Sequence, residues 1–453
     1  MTHSFSFTYH NRAYYFMWDS ESGSLHNVDF VTFLIAKNRF EHDLDEEQLK
    51  ALKSIDEKQV KEINEELDEL VKEGVLDSPC TCTQECKKTG EIKALCLHIC
   101  HDCNLKCEYC FADEGTYHTR SRAHMSFDVG KNAIDFLVQH SGKRRNLEVD
   151  FFGGEPLMNF NVVKQIVEYA RSIEEKVGKK FSFTMTTNCI LLSQDKIDWL
   201  NKEMNNIVLS IDGRKEIHDE VRRTISGKSA FDVIVQNALN LRKVRGDKTY
   251  YVRGTYTAKN LDFTKDVLYL NDLGFDQISM EPVVTDIEPL KITKEMLPRI
   301  LKEYETLAEE YLDRRKTDKW FNFFHFMIDI ESGPCVIKRL TGCGAGCEYL
   351  AVTPTGDIFP CHQFAENKDY YMGNVFDKEI NMDISKRFAQ NIVTKKPACD
   401  KCPAKYYCSG GCTANNINFA GSMNTPYEIT CELEKKRMDL SLAIKAIEGA
   451  EQE

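Results

Sequence analysis

The chain has 453 residues, enough for two or three domains, and its 42% hydrophobic content can bury a sizeable core. A formal net charge of -12 argues against a nucleic-acid scaffold, which carries a basic stripe, and suits a partner or substrate with some basic residues. MTHSFSFTYHNRAYYFMWD holds no basic segment followed by an apolar core and a cleavage site, and no run of about 18 apolar residues follows, so a cytoplasmic protein without a membrane span is expected.

Residues 1–85 read as a small module. SFSFTY and AYYFMW alternate as strands around an HNR turn, VDFVTFLIAKNRF carries helical apolar periodicity, and two charged helices are expected near 45–55 and 57–72. A hairpin with helices is similar to a winged helix. The charge run from His42 to Glu73 is most simply a solvated helix face with i,i+4 pairs. The linker DSPCTCTQECKKTG, with Pro, Ser, Gly and closely spaced Cys, marks a boundary. From residue 93, strands are expected at KALCLHIC, NLEVDFFGG, KFSFTMTTN, NIVLSID, YYVRGTYT and QISMEPV. Helices are expected between them near 127–140, 159–176, 194–204, 231–245 and 263–273. Repeated β/α units of this length specify a parallel sheet covered by helices, and the periodicity alone fits a barrel and a doubly wound sheet equally. A helical stretch from about 293 to 331 leads into a Cys- and Gly-rich segment, and CELEKKRMDLSLAIKAIEGAEQE closes the chain as an amphipathic helix. The expected division is 1–85, 86–300, a connector at 301–334, 335–431, and a last helix at 432–453.

Eighteen Cys without an export signal read as metal ligands rather than disulfides, since the cytosol keeps thiols reduced. Eight lie between Cys80 and Cys110 and nine between Cys335 and Cys431, a clustering that scattered core thiols would not show. Cys103, Cys107 and Cys110, in CNLKCEYC just after the first expected barrel strand, offer a cluster three thiolates and no fourth, whereas a four-iron carrier has four Cys. A three-Cys zinc site or chance buried thiols share this spacing. The motif resembles the radical S-adenosylmethionine (SAM) superfamily. That resemblance implies that the open iron takes the amino and carboxylate groups of SAM, and that one electron releases a 5'-deoxyadenosyl radical which abstracts a hydrogen atom. It also selects the partial (β/α)6 barrel. Gly153-Gly154-Glu155-Pro156, after the second strand, resembles the family's GGEP motif and implies contact with the SAM amino group. Asn188, Ser210 and Arg222, with Asp212 close by, resemble the family's contacts to ribose and carboxylate, while capped strand ends or surface ion pairs remain the plain alternative. Tyr109 and Phe111 stack on adenine or shield the cluster.

The longest pattern is Cys343, twelve residues, Gly356, four residues, Cys361, then Cys399, Cys402, Cys408, Cys412 and Cys431. It resembles the SPASM domain, whose members carry two auxiliary four-iron clusters, with zinc ribbons the competing reading of CxxC pairs. On that resemblance Cys399, Cys402, Cys408 and Cys431 close one cluster, and Cys343, Cys361 and Cys412 hold the other. Cys335, Cys347 or a substrate thiolate completes the second set. Cys80, Cys82, Cys86, Cys96 and Cys100 lie outside both patterns, and Asp150, His98, His101, His118 and His124 receive no proton-transfer role.

The N-terminal module is similar to a precursor-peptide recognition element, which adds a leader as a strand to a sheet edge. A structural cap is the alternative. CGAGCEYLAVTPTGDIFPCHQF and the overall layout most resemble the thioether (sactionine) maturases of six-cysteine (SCIFF) peptides. The implied activity is a sulfur-to-α-carbon thioether installed in a ribosomally made Cys-rich precursor peptide, with SAM, three [4Fe-4S] clusters and a reduced flavodoxin or ferredoxin-type donor. A sulfatase (formylglycine) maturase and a non-catalytic iron-sulfur carrier with a peptide-binding arm are the competing readings.

Overall fold

The computed structural model describes residues 1–80, 90–119, 121–330, 340–377 and 379–450, so that Cys82, Cys86 and Cys335 lie outside the described residues. Two compact units result, one of Met1–Lys87, Leu297–Gly342 and Ile392–Glu453, the other of Lys88–Met296 and Cys343–Asn391.

In the first unit, strands Thr2–Tyr9, Arg12–Asp19 and Ser24–Val28 form an antiparallel meander. The first hairpin closes on His10 and Asn11, both at positive φ (48° and 60°), the turn whose twist matches that of paired strands. Helices Phe30–Phe40, Glu46–Lys53 and Glu57–Lys72 follow, each opened by an Asp (Asp29, Asp45, Asp56) whose carboxylate accepts from the first-turn backbone. Their apolar faces bury Ile35, Ile63 and Leu67 against Met17 and Leu76. The outer faces stay charged, as the i,i+4 pairs Lys58–Glu62 and Lys61–Glu65 indicate.

Three elements differ from expectation. Strand Ser24–Val28 is not legible as a strand because SLHNV has no apolar alternation. The last helix begins at Glu428, so Cys431 sits in its first turn rather than ahead of it. Among the described residues the connector's α-helix spans Leu297–Arg315, with 3-10 turns at Lys294–Met296 and Phe324–Phe326, and it packs on the last helix; there Tyr304 Oη accepts from Arg437 at 2.6 Å.

His3 ties the first strand to Glu41 (3.0 Å) and to Asp439 of the last helix (3.1 Å). Burial pulls its pKa down, but the hydrogen bonds and charges of Asp439 and Glu41 outweigh burial and raise it to about 10. The stabilisation is therefore full below the unfolded value near 6.5 and is lost as pH rises through about 10. His3→Gln is expected to destabilise the fold by about 1.5–3 kcal/mol at pH 6, the value of a charged hydrogen bond, with the difference in melting temperature closing by pH 10.5.

The second unit is built on six parallel strands, Ala94–His101, Asn146–Gly153, Lys180–Thr187, Asn206–Ser210, Tyr250–Tyr256 and Gln277–Pro282, hydrogen-bonded in strict chain order. A doubly wound sheet would reverse its order at a switch point, so the sequential order selects the partial barrel. Helices Phe127–His140, Phe160–Val177, Gln194–Glu203, Phe231–Arg245 and Phe263–Asp272 cross between strands with buried apolar faces. Strand Tyr349–Val352 pairs parallel with Ala94–Leu97 and extends the sheet beyond the first barrel strand. Among the described residues no helix is long and apolar enough to cross a membrane.

Candidate functional site

The first barrel strand is buried along its whole length, so its polar loop emerges at the carboxyl end of the sheet, where barrels gather chemistry. Cys103, Cys107 and Cys110 lie on that loop. Leu105–Cys107 pairs antiparallel with Arg222–Thr224, which sets Arg222 opposite Cys107. The three thiols are electrostatic neighbours. Among the described residues, however, no three His, Cys, Asp or Glu side chains converge tightly enough to chelate one ion. Three Cys on one loop are the donor type that holds iron-sulfur clusters. Burial pushes the Cys103 thiol well up and the Cys107 thiol to about 12, Arg222 opposing the latter, and iron binding has to displace those protons.

The two glycines of GGEP admit the chain's own backbone. A Cβ on Gly153 (φ +120°) would stand 2.3 Å from Cys100 O, and one on Gly154 would stand 1.9 Å from Asp102 O. Gly154 N donates to Cys100 O and Glu155 N to Asp102 O, fastening the motif to the start of the cysteine loop. Gly154→Ala is expected to displace that loop and cost about four irons per chain on reconstitution, the complement of one cluster, while the second unit's barrel still folds by circular dichroism. Glu155, 1% exposed, accepts from Thr187 Oγ1 (2.9 Å) and from the backbone of Asn188 (2.7 Å) and Leu157 (3.0 Å). Its carboxylate thus holds Asn188 in place. Asn188 Nδ2 in turn donates to Asn104 Oδ1 (2.8 Å) and to Cys103 Sγ (3.7 Å). A residue expected to meet SAM ribose or carboxylate is therefore hydrogen-bonded to one of the three loop cysteines.

Arg222, Asp212 and Tyr109 form one buried set. Arg222 Nε donates to Asp212 Oδ2 at 3.1 Å, Tyr109 Oη donates to the same carboxylate at 2.7 Å, and Thr255 N adds 3.0 Å. Burial raises the Asp212 pKa, but Arg222 and His218 outweigh it and hold the carboxyl below its usual range. Tyr109 lies against the Arg222 guanidinium, 5.5 Å from its ring centroid. Ser210 ends the fourth strand opposite Arg253, two residues before Asp212. Phe111 is 45% exposed and packs near Phe152 and His362.

Tyr117, not singled out in the sequence, has both Cys110 and Cys361 as electrostatic neighbours and stacks on His98 and His101. His98 and His101 hydrogen-bond each other at 3.0 Å, and burial lowers both pKa values, His101 to about 4, leaving them neutral at pH 7. His118 and His124 lie near Asp113 and Asp102, and burial raises Asp150 to about 6. Cys100 donates to Asp102 O and Glu155 O as an interior thiol, Cys96 is buried, and Cys80 lies 3.6 Å from Tyr406 Oη.

Of the second cysteine block, Cys343 and Cys361 belong to the second unit and Cys412 to the first. Cys361 follows the hairpin of Tyr349–Val352 and Asp357–Phe359, whose turn needs Gly356 at φ +90°. Cys347 is 3% exposed and donates to Ser385 O at 3.2 Å. Cys399, Cys402, Cys408 and Cys431, expected as one ligand set, line one cavity of about 300 Å³ in the first unit. A 3-10 turn brings in Cys399, the helix Lys405–Cys408 ends on Cys408, and the last helix supplies Cys431. With Cys402 from the loop between the first two, four thiols around one cavity fit a four-iron cluster.

Residues 97–258 match the radical SAM superfamily, and residues 343–403 match the SPASM iron-sulfur cluster-binding domain. The chain thus carries a radical SAM domain followed by a SPASM domain, and these imply SAM and multiple four-iron clusters. It is similar to the cysteine-type anaerobic sulfatase-maturating enzyme of Clostridium novyi, at 25% identity over 76% of this chain and 93% of the relative. The radical SAM cyclopropyl synthase TigE of Paramaledivibacter caminithermalis is 24% identical over 77% of this chain and 74% of its own length. The subtilosin biosynthesis protein AlbA of Bacillus subtilis is 23% identical over 71% and 67%. In fold, the chain is similar to anSMEcpe with bound AdoMet and a peptide, at a TM-score of 0.64 and 18% identity over 79% of this chain and 99% of that one. Streptococcus suis SuiB bound to precursor peptide SuiA gives a TM-score of 0.53 and 17% identity over 92% and 96%.

Proposed function

We propose that the protein installs a Cys-sulfur to α-carbon thioether in a ribosomally made Cys-rich precursor peptide. The observation that carries this reading is the N-terminal three-stranded sheet, which shares a compact unit with the four-thiol cavity and has strand Ser24–Val28 bonded to a neighbour on one side only among the described strands. An edge of this kind can take a leader as a further strand, with the winged-helix-like module acting as a recognition element. The likeness to SuiB, whose structure holds its precursor peptide, spans 92% of the chain, against 79% for anSMEcpe.

When bound, SAM and its cluster supply hydrogen-atom abstraction. The residues of this chain then hold the parts in place. Asn188 and Arg222 orient the groups over the cysteine loop, Glu155 fixes Asn188, and Phe111 shields the loop from water. Cys343 and Cys361, both in the second unit, offer thiolates beside which a peptide thiol binds deprotonated.

The relatives named as sulfatase maturases favour a second reading, formylglycine formation. Incubation with SAM, a reductant and a Cys-rich peptide carrying its leader separates the two. A thioether keeps the sulfur and removes two hydrogen atoms per crosslink, whereas formylglycine made from Cys loses the sulfur. A peptide modified equally well without its leader would contradict the proposed role of the module.

A further inference from the structure

Lys396 is 1% exposed, and lysines are almost never so deeply buried unless paired. Its ammonium donates to Gly410 O at 2.9 Å. Gly410, at φ +80°, makes room for it, since a Cβ there would stand 2.9 Å from the Nζ. The groups that face it electrostatically are Cys399, Cys408, Cys431 and Cys412.

The two cations that line the four-thiol cavity, Lys405 and Lys435, each have a carboxylate of their own, as does Arg437 on the last helix. Lys405 pairs with Glu21, Lys435 with Glu432 at 2.9 Å, and Arg437 with Glu434 at 2.9 Å. Among the described residues Lys396 pairs with no carboxylate. A buried, uncompensated ammonium is costly unless an anion joins it. Four thiolates around an iron-sulfur core are such an anion, and one whose negative charge grows on reduction.

We propose that Lys396 is the counter-ion of the auxiliary cluster held by Cys399, Cys402, Cys408 and Cys431, and that it raises that cluster's reduction potential. Lys396 is thus a positioning residue that favours arrival of one electron, with no proton transferred. Net charge beside a cluster is one of the levers that set its potential. The inference rests on the four-thiolate assignment and is independent of which bond the enzyme makes in its peptide.

The test is a potentiometric titration of the anaerobically reconstituted full chain with dithionite, followed by electron paramagnetic resonance. Perturbation by added SAM marks the first cluster, and the couple missing in Cys402→Ala marks the relevant auxiliary one. Lys396→Met is expected to lower the reduction equilibrium of that couple at least tenfold, about 59 mV for one electron, with iron content unchanged and Lys396→Arg nearer to wild type. Loss of about four irons in Lys396→Met but not in Lys396→Arg would equally support a required charge. An unmoved couple, a shift confined to the other auxiliary couple, or equal effects of Met and Arg would overturn the inference alone. Absence of any couple sensitive to Cys402→Ala would overturn the cluster assignment and the inference with it.

Discussion

A chain with Cys103, Cys107 and Cys110 all replaced by Ala is expected to release no deoxyadenosine from SAM under reducing conditions, at least a 1,000-fold loss or about 4 kcal/mol in barrier terms. It should still hold about eight irons after reconstitution, because the remaining ligand sets lie elsewhere in the chain. Cys399, Cys402, Cys408 and Cys431 line a cavity in a separate compact unit, with no element shared with the cysteine loop. The informative feature is therefore the split result: chemistry abolished, iron lowered by one cluster. Parallel measurement of iron and deoxyadenosine on the same preparation checks it. Retained SAM cleavage would mean that the loop of the first barrel strand is not the site.

Removal of the Asp212 carboxylate carries the largest expected effect on the fold. Asp212 is fully buried, and its carboxylate accepts from Arg222, Tyr109 and the backbone of Thr255. Truncation of one partner of a buried charge pair leaves the other unsatisfied and costs about 3–5 kcal/mol. Asp212→Ala is therefore expected to lower the melting temperature by about 5–10 °C, with Asp212→Asn costing less because the shape and two acceptor sites of one oxygen remain. Tyr109→Phe removes the hydrogen bond that Tyr109 donates to Asp212 and the one it accepts from Arg222, each about 1.5–3 kcal/mol. If Arg222 leaves Asp212 to meet a SAM carboxylate, added SAM should protect Arg222-containing chains more than Arg222→Lys chains in the same melting experiment, since a planar fork matches a carboxylate better than an ammonium does.

The barrel was legible in the sequence almost to the residue. Helices Phe127–His140 and Phe231–Arg245 fall on their expected spans because each combines a clear apolar period with short polar flanks. Strict chain order among the six strands was not legible, since β/α alternation is common to barrels and doubly wound sheets. Strand Tyr349–Val352 was missed for a related reason. It is a short apolar run in a Cys- and Gly-rich segment, and its partner, Ala94–Leu97, lies far away in the chain.

The proposed cysteine sets were readable from spacing, which carries ligand chemistry. The groups that serve those sets were not. Glu155 looked like a ligand contact from GGEP, but its carboxylate holds Thr187 and Asn188, an arrangement that depends on two strand ends meeting. Tyr117 had no motif and acquires its place from the fold of the loop. Lys396, in TKKPAC, belongs to no motif, and only its burial and the glycine turn at Gly410 show that it is enclosed.

The most direct measurement is iron and acid-labile sulfide per chain in wild-type protein reconstituted without oxygen. Three ligand sets predict about twelve of each. A value of about four would leave the radical SAM site standing but contradict the two auxiliary clusters, and with them thiolate capture and electron return in peptide crosslinking.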